Sequence, residues 1–113
     1  MSERLNAIEM AVYQERCITL YGDTISRRGR ALQFDERRFV VDCFSCQGTG
    51  ARQPRPGVHD RGGSFVCPRC RGAAIEVVGV MAAHNIAAGK VEYMPGWDRE
   101  RALRVATGAT VGA

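Results

Sequence analysis

Two Cys-x-x-Cys pairs, Cys43/Cys46 and Cys67/Cys70, separated by twenty residues, constrain this chain more than any other feature. Zinc takes four ligands at the corners of a tetrahedron, and a Cys-x-x-Cys turn brings two sulfurs to one side of a metal, so two such turns complete one sphere. Each pair is followed two positions later by a glycine, Gly48 or Gly72. A glycine there lets the backbone fold beneath the sulfurs and aim amides at them with no Cβ in the way. The spacing therefore predicts one structural Zn²⁺ per chain, held by Cys43, Cys46, Cys67 and Cys70 in two zinc knuckles.

The same residues carry a resemblance. Cys43-Phe-Ser-Cys46-Gln-Gly48-Thr-Gly50 matches in full the Cys-x-x-Cys-x-Gly-x-Gly repeat of the cysteine-rich domain of DnaJ-type (Hsp40) chaperones. Cys67-Pro-Arg-Cys70-Arg-Gly72 matches it except that Ala74 stands in for the last glycine. That family uses four repeats to bind two zincs and to handle unfolded polypeptide, so this chain, with two repeats, resembles a single-zinc half. The resemblance implies hairpin knuckles and a polypeptide partner. It does not imply stimulation of an Hsp70 ATPase, because the His-Pro-Asp tripeptide of the J domain is missing and the nearest candidate reads Val58-His59-Asp60.

A chain of 113 residues is expected to form one domain with a modest core. A structural zinc adds apparent binding energy on the order of 10 kcal/mol, comparable with the whole stability of a small domain. The expected fold class is α+β: a β-rich zinc-knuckle core at 43–72, an N-terminal helix with strands in 1–42, and a strand with a short C-terminal helix in 73–113. Glu3, Arg4 and Glu9 interrupt any apolar leader, and no apolar run reaches the length of a membrane span. The expected location is cytoplasmic, where an odd count of five cysteines in paired spacing favours metal over disulfides.

The formal net charge of +4 is unevenly placed. Segment 1–42 balances seven basic against seven acidic side chains, and 73–113 balances four against four. Segment 43–72 sets Arg52, Arg55, Arg61, Arg69 and Arg71 against Asp60 alone. Four thiolates around Zn²⁺ sum to minus two, so these arginines either neutralise the metal site or face an anion such as nucleic acid.

Ahead of the knuckles, Ser2 as N-cap with Leu5, Ile8, Ala11 and Val12 at helical spacing predicts a helix over Glu3–Arg16. Cys17 at its end reads as a small buried residue and not a ligand. Ile18, Leu20 and Tyr21 alternate in strand fashion before Gly22-Asp23, and short strands and turns are expected as far as Phe34. Arg27, Arg28, Arg30, Arg37 and Arg38 read as a solvated face. The stretches 39–44 and 64–67 are strands feeding the two knuckles. Between them, 51–63 carries Pro54, Pro56, Gly57, Gly62 and Gly63 and reads as an exposed loop. His59 in that loop is no ligand if four thiols already fill the sphere.

Residues 74–80 read as a strand and 81–88 as a helical turn ended by Gly89, although Ile75, Val78, Ala82 and Ile86 also fit one helical face. His84 has no visible partner and reads as structural. Asp98 caps a helix over Arg99–Ala106 ended by Gly108, with Tyr93 and Trp97 packing it onto the domain. The tail 109–113 is expected to be flexible.

An enzyme is the least supported class, since no Gly-x-Ser-x-Gly, phosphate-binding glycine loop, His-Glu-x-x-His or carboxylate pair is present. Thiol–disulfide exchange at Cys67-Pro-Arg-Cys70 is the chemical exception, with flanking arginines able to lower a thiol pKa. The leading expectation is a zinc-stabilised module that binds a protein partner or client, with Phe44, Phe65 and the Val77–Val80 run as apolar pockets. The alternative is a nucleic-acid-binding zinc ribbon using Arg52, Arg55, Arg61, Arg69 and Arg71. Against it stand a single lysine, Lys90, and few aromatic residues, not interleaved with the arginines as a base-stacking surface would require.

Overall fold

The computed structural model describes residues 4–52 and 65–108. Among these, three helices and six short strands make the α+β architecture expected. Helix α1 is Ala7–Tyr21, and the strands β1 (Ala31–Gln33) and β2 (Phe39–Asp42) form a hairpin. β3 (Ala51–Arg52) and β4 (Phe65–Val66) follow, then β5 (Ile75–Val78), helix α2 (Val80–Ile86), β6 (Val91–Glu92) and helix α3 (Arg99–Ala106).

The main sheet has the order β5-β2-β1-β6. β2 pairs antiparallel with both β1 and β5, while β6 lies parallel to β1, with Ala31 opposite Val91. Successive side chains of a strand point to opposite faces, and both faces here are covered. Val40 and Leu32 look toward α1, where Tyr13 and Cys17 pack on them. Val41, Phe39 and Ala31 look the other way, onto Val80, Ala83 and Ala87 of α2 and its surroundings and Ala102 of α3. The second sheet, β3 with β4, belongs to the cysteine region.

Helix α1 departs from its predicted bounds. It starts after Asn6, whose side chain accepts from the Glu9 amide (2.8 Å) while the Glu9 carboxylate accepts from the Asn6 amide (3.1 Å). This reciprocal capping box satisfies two amides that a helix start otherwise leaves unpaired, and it outcompetes a start at Ser2. At the other end the helix continues through Cys17, Ile18, Leu20 and Tyr21, which are helical and not a strand, and stops at Gly22 with φ 85°. Cys17 is fully buried against the sheet, as a small apolar residue would be.

The ambiguity over 74–88 resolves into both elements: strand to Val78, then a helix capped by Gly79. The last helix has its predicted bounds, with Asp98 accepting from the Arg101 amide at 2.8 Å. Tyr93 and Trp97 pack against the α2–α3 core, and the Arg101 guanidinium sits 4.2 Å from the centre of the Trp97 ring. The predicted loop is strand at its first two residues, Ala51 and Arg52; the rest of it, and the tail 109–113, lie outside the described residues.

Candidate metal centre

The two Cys-x-x-Cys turns adopt the same backbone twice. Gln47 and Gly48 have φ 55° and 84°, and Arg71 and Gly72 have 52° and 86°. Each turn closes through an amide-to-carbonyl bond, Gln47 to Cys43 (2.8 Å) and Arg71 to Cys67 (2.7 Å). Each then aims one amide at its second sulfur: Gly50 donates to Cys46 Sγ at 3.2 Å and Ala74 to Cys70 Sγ at 3.3 Å. The turns also lock together, because the Cys43 amide donates to Ala74 (2.9 Å) and the Cys67 amide to Gly50 (3.0 Å). The result is a local pseudo-twofold in which each knuckle ends on the start of the other.

This arrangement brings Cys43, Cys46, Cys67 and Cys70 into one buried cluster whose sulfurs all lie within 4.8 Å of one another. Across the knuckles Cys43 and Cys67 are 3.8 Å apart, and Cys46 and Cys70 are 3.6 Å apart. A tetrahedron with Zn–S bonds of about 2.3 Å has sulfur–sulfur edges of roughly 3.8 Å, whereas a disulfide would need about 2.05 Å. All five cysteines are free thiols. The four sulfurs thus fit a tetrahedral metal ion and do not fit a cystine.

Burial and the surrounding amides act on the thiols in opposite senses. Burial pushes the Cys43 thiol up. Burial also opposes the charge on Cys46 and Cys67, but the amides of Gly50 and Gly48 around Cys46, and of Cys70 and Arg69 around Cys67, outweigh it and hold both below the ordinary thiol range. Amides that stabilise a thiolate also stabilise a metal-bound one.

Two carboxylates that the sequence reading passed over anchor the cluster to the main sheet. Asp42, the last residue of β2, pairs with Arg27 and accepts from the Gly29 amide at 2.9 Å. Its oxygen also lies so close to Gly48 that a Cβ there would come within 2.7 Å. Glu76 of β5, itself buried, pairs with Arg69 of the second knuckle. The readable signal for Asp42 was its place directly before Cys43 in the feeding strand.

The candidate basic residues separate on inspection. Arg69 is engaged by Glu76, Arg52 and Arg71 are exposed, and Arg55, Arg61 and His59 lie outside the described residues. Folding also sets aromatic rings beside arginines distant in the chain: Phe65 is the cross-strand neighbour of Arg52, and the Arg69 guanidinium lies 5.9 Å from the Phe44 ring centre. The Val77–Val80 run is a correction, because Val77 and Val80 are buried in the domain and offer no external pocket. Phe44 and Val66, by contrast, stand 74% and 64% exposed, with Phe65 beside them. His84 does have a partner, the Tyr93 hydroxyl at 2.5 Å. Among the described residues no helix is long and apolar enough to cross a membrane.

No protein-family model, curated protein or solved structure matches this chain. What the site can do is therefore argued from its own chemistry.

Proposed function

We propose that the chain is a zinc-stabilised, non-catalytic module that binds a polypeptide partner, similar in its knuckles to the cysteine-rich domain of DnaJ-type chaperones. The observation that carries this reading is the exposure of Phe44, inside the first Cys-x-x-Cys turn, and of Phe65 and Val66, immediately before the second. Large apolar side chains held in water by a rigid turn are what an interface presents before its partner arrives. The four thiols suit one Zn²⁺ and leave it no open position, which favours a structural metal over a catalytic one. Zinc here would supply only cross-linking of the two knuckles. The polypeptide is met by Phe44 and Phe65.

The test is binding of a labelled, reduced and alkylated unfolded protein to the metal-loaded chain. Phe44→Ser with Phe65→Ser is expected to abolish binding while leaving metal content and melting temperature unchanged. Equal binding by that double variant rejects the reading.

One observation favours a second reading, a surface for single-stranded nucleic acid. The pairing of Phe65 with Arg52, and of Phe44 with Arg69, gives the alternation of stacking ring and cation that such surfaces use. A labelled oligothymidylate titrated across a salt series decides it: affinity that falls steeply with salt, and falls again in Arg52→Ala, would favour nucleic acid.

A further inference from the structure

A cleft of about 410 Å³ opens between the first knuckle and the end of α2, lined by Gly29, Arg30, Phe44, Gln47, Ile86 and Ala87 among others. Its volume lies within the range of sites that engulf an organic group, roughly 300 to 1,000 Å³. Two of its lips are large apolar side chains left in water, Phe44 at 74% and Ile86 at 42% exposed. They come from different elements, one from the metal turn and one from α2, so a single group inserted between them would dry both at once.

Among the described residues, two charged side chains line this cleft, Asp42 and Arg30. Asp42 lines it, but its carboxylate is taken up by Arg27 and by the Gly29 amide. Arg69, over the Phe44 ring, is paired with Glu76. Arg30 is exposed, stacks 5.4 Å from the Tyr21 ring centre and makes no ion pair among the described residues. The rim thus carries, beside an apolar slot, a guanidinium that no described carboxylate holds in an ion pair.

We infer that this cleft receives a bulky apolar side chain of an extended partner segment, with an adjacent Asp or Glu of that segment on Arg30. The inference rests on the polypeptide-binding reading above and gives it a location and a preferred partner: an acidic–apolar pairing in the bound segment. Phe44 lies between two of the candidate ligands, Cys43 and Cys46, so the same turn that presents this lip also presents two of the four thiols.

The experiment uses the zinc-loaded chain and three short fluorescent peptides in a Gly-Ser background, carrying Asp-Leu-Phe, Lys-Leu-Phe or Asp-Ala-Ala. Expected is binding of Asp-Leu-Phe, with about tenfold loss for either change of peptide. Ile86→Glu, at an exposed helix end, is expected to lose about tenfold for Asp-Leu-Phe with zinc content unaltered. Arg30→Glu is expected to reverse the order of the Asp and Lys peptides, a charge swap that misfolding would not produce. If Asp-Leu-Phe binds and neither Ile86→Glu nor Arg30→Glu changes its affinity, the cleft is overturned while the polypeptide reading stands. If no peptide binds and oligothymidylate does, both are overturned.

Discussion

Ala74 occupies in the second knuckle the place that Gly50 holds in the first, and it carries nearly the same left-handed backbone, φ 69° against 79°. A side chain in that region costs roughly 1 kcal/mol or more. Ala74→Gly is accordingly expected to raise the stability of the metal-loaded protein by about 1 kcal/mol, seen as a higher denaturant midpoint with unchanged slope. Gly48→Ala acts in the opposite direction, since the new Cβ meets Asp42 at 2.7 Å in a backbone with φ 84°. A loss of about 2 kcal/mol is expected in the same measurement. The four thiols were legible in the sequence because their geometry is set within six-residue turns. Asp42 and Glu76 were not, because what fixes them is Arg27, fifteen residues before Asp42, and Arg69, seven residues before Glu76.

Among the elements, α1 depends most on a single local signal. Its start is fixed by the Asn6–Glu9 capping box, and Asn6→Ala is expected to cost about 1 kcal/mol, read from the thermal midpoint. Glu9 also ties the helix to the β1–β2 turn through Arg38, which binds Asp35 as well (2.6 Å each). The Arg38 hydrogen bond holds the Glu9 carboxyl below its usual range; at Asp35 burial opposes the charge, but the amides of Arg37 and Arg38 outweigh it. Because both folded values are depressed, the stability they contribute is fully present above about pH 5 and is lost as pH falls through the folded values. Urea midpoints at neutral and acid pH should differ less in Arg38→Met than in the unaltered chain. The capping residues were in plain view, yet Ser2 competed for the same role. β6 was invisible, since two residues, Val91 and Glu92, make a strand only by lying parallel to β1, sixty residues earlier.

At the scale of the whole molecule, the main sheet and the four-cysteine cluster are continuous. The β2–β5 ladder ends at Asp42 opposite Ile75, and the next rung, the Cys43 amide on the Ala74 carbonyl, already belongs to the knuckles. Removing zinc with a chelator is therefore expected to expose the Cys43 and Cys67 amides to solvent hydrogen exchange and to lower the melting temperature, whereas Cys17→Ser leaves the metal bound. The α+β class was legible because the knuckles demanded strands and the capped C-terminal helix announced itself. The layering of α1 on one face and α2 with α3 on the other was not, because Ile8, Val12 and Ile18 give α1 an apolar flank that stays in water while Tyr13 and Cys17 face the sheet. The reciprocal closure of the knuckles has one more consequence. Each half closes its own turn but supplies the carbonyl on which the first cysteine amide of the other rests, Ala74 for Cys43 and Gly50 for Cys67, so a chain severed between Arg52 and Phe65 is expected to yield two fragments that recognise each other. Zinc would then act as the ligature, turning an intramolecular fold into a two-piece assembly that forms and falls apart with the supply of metal.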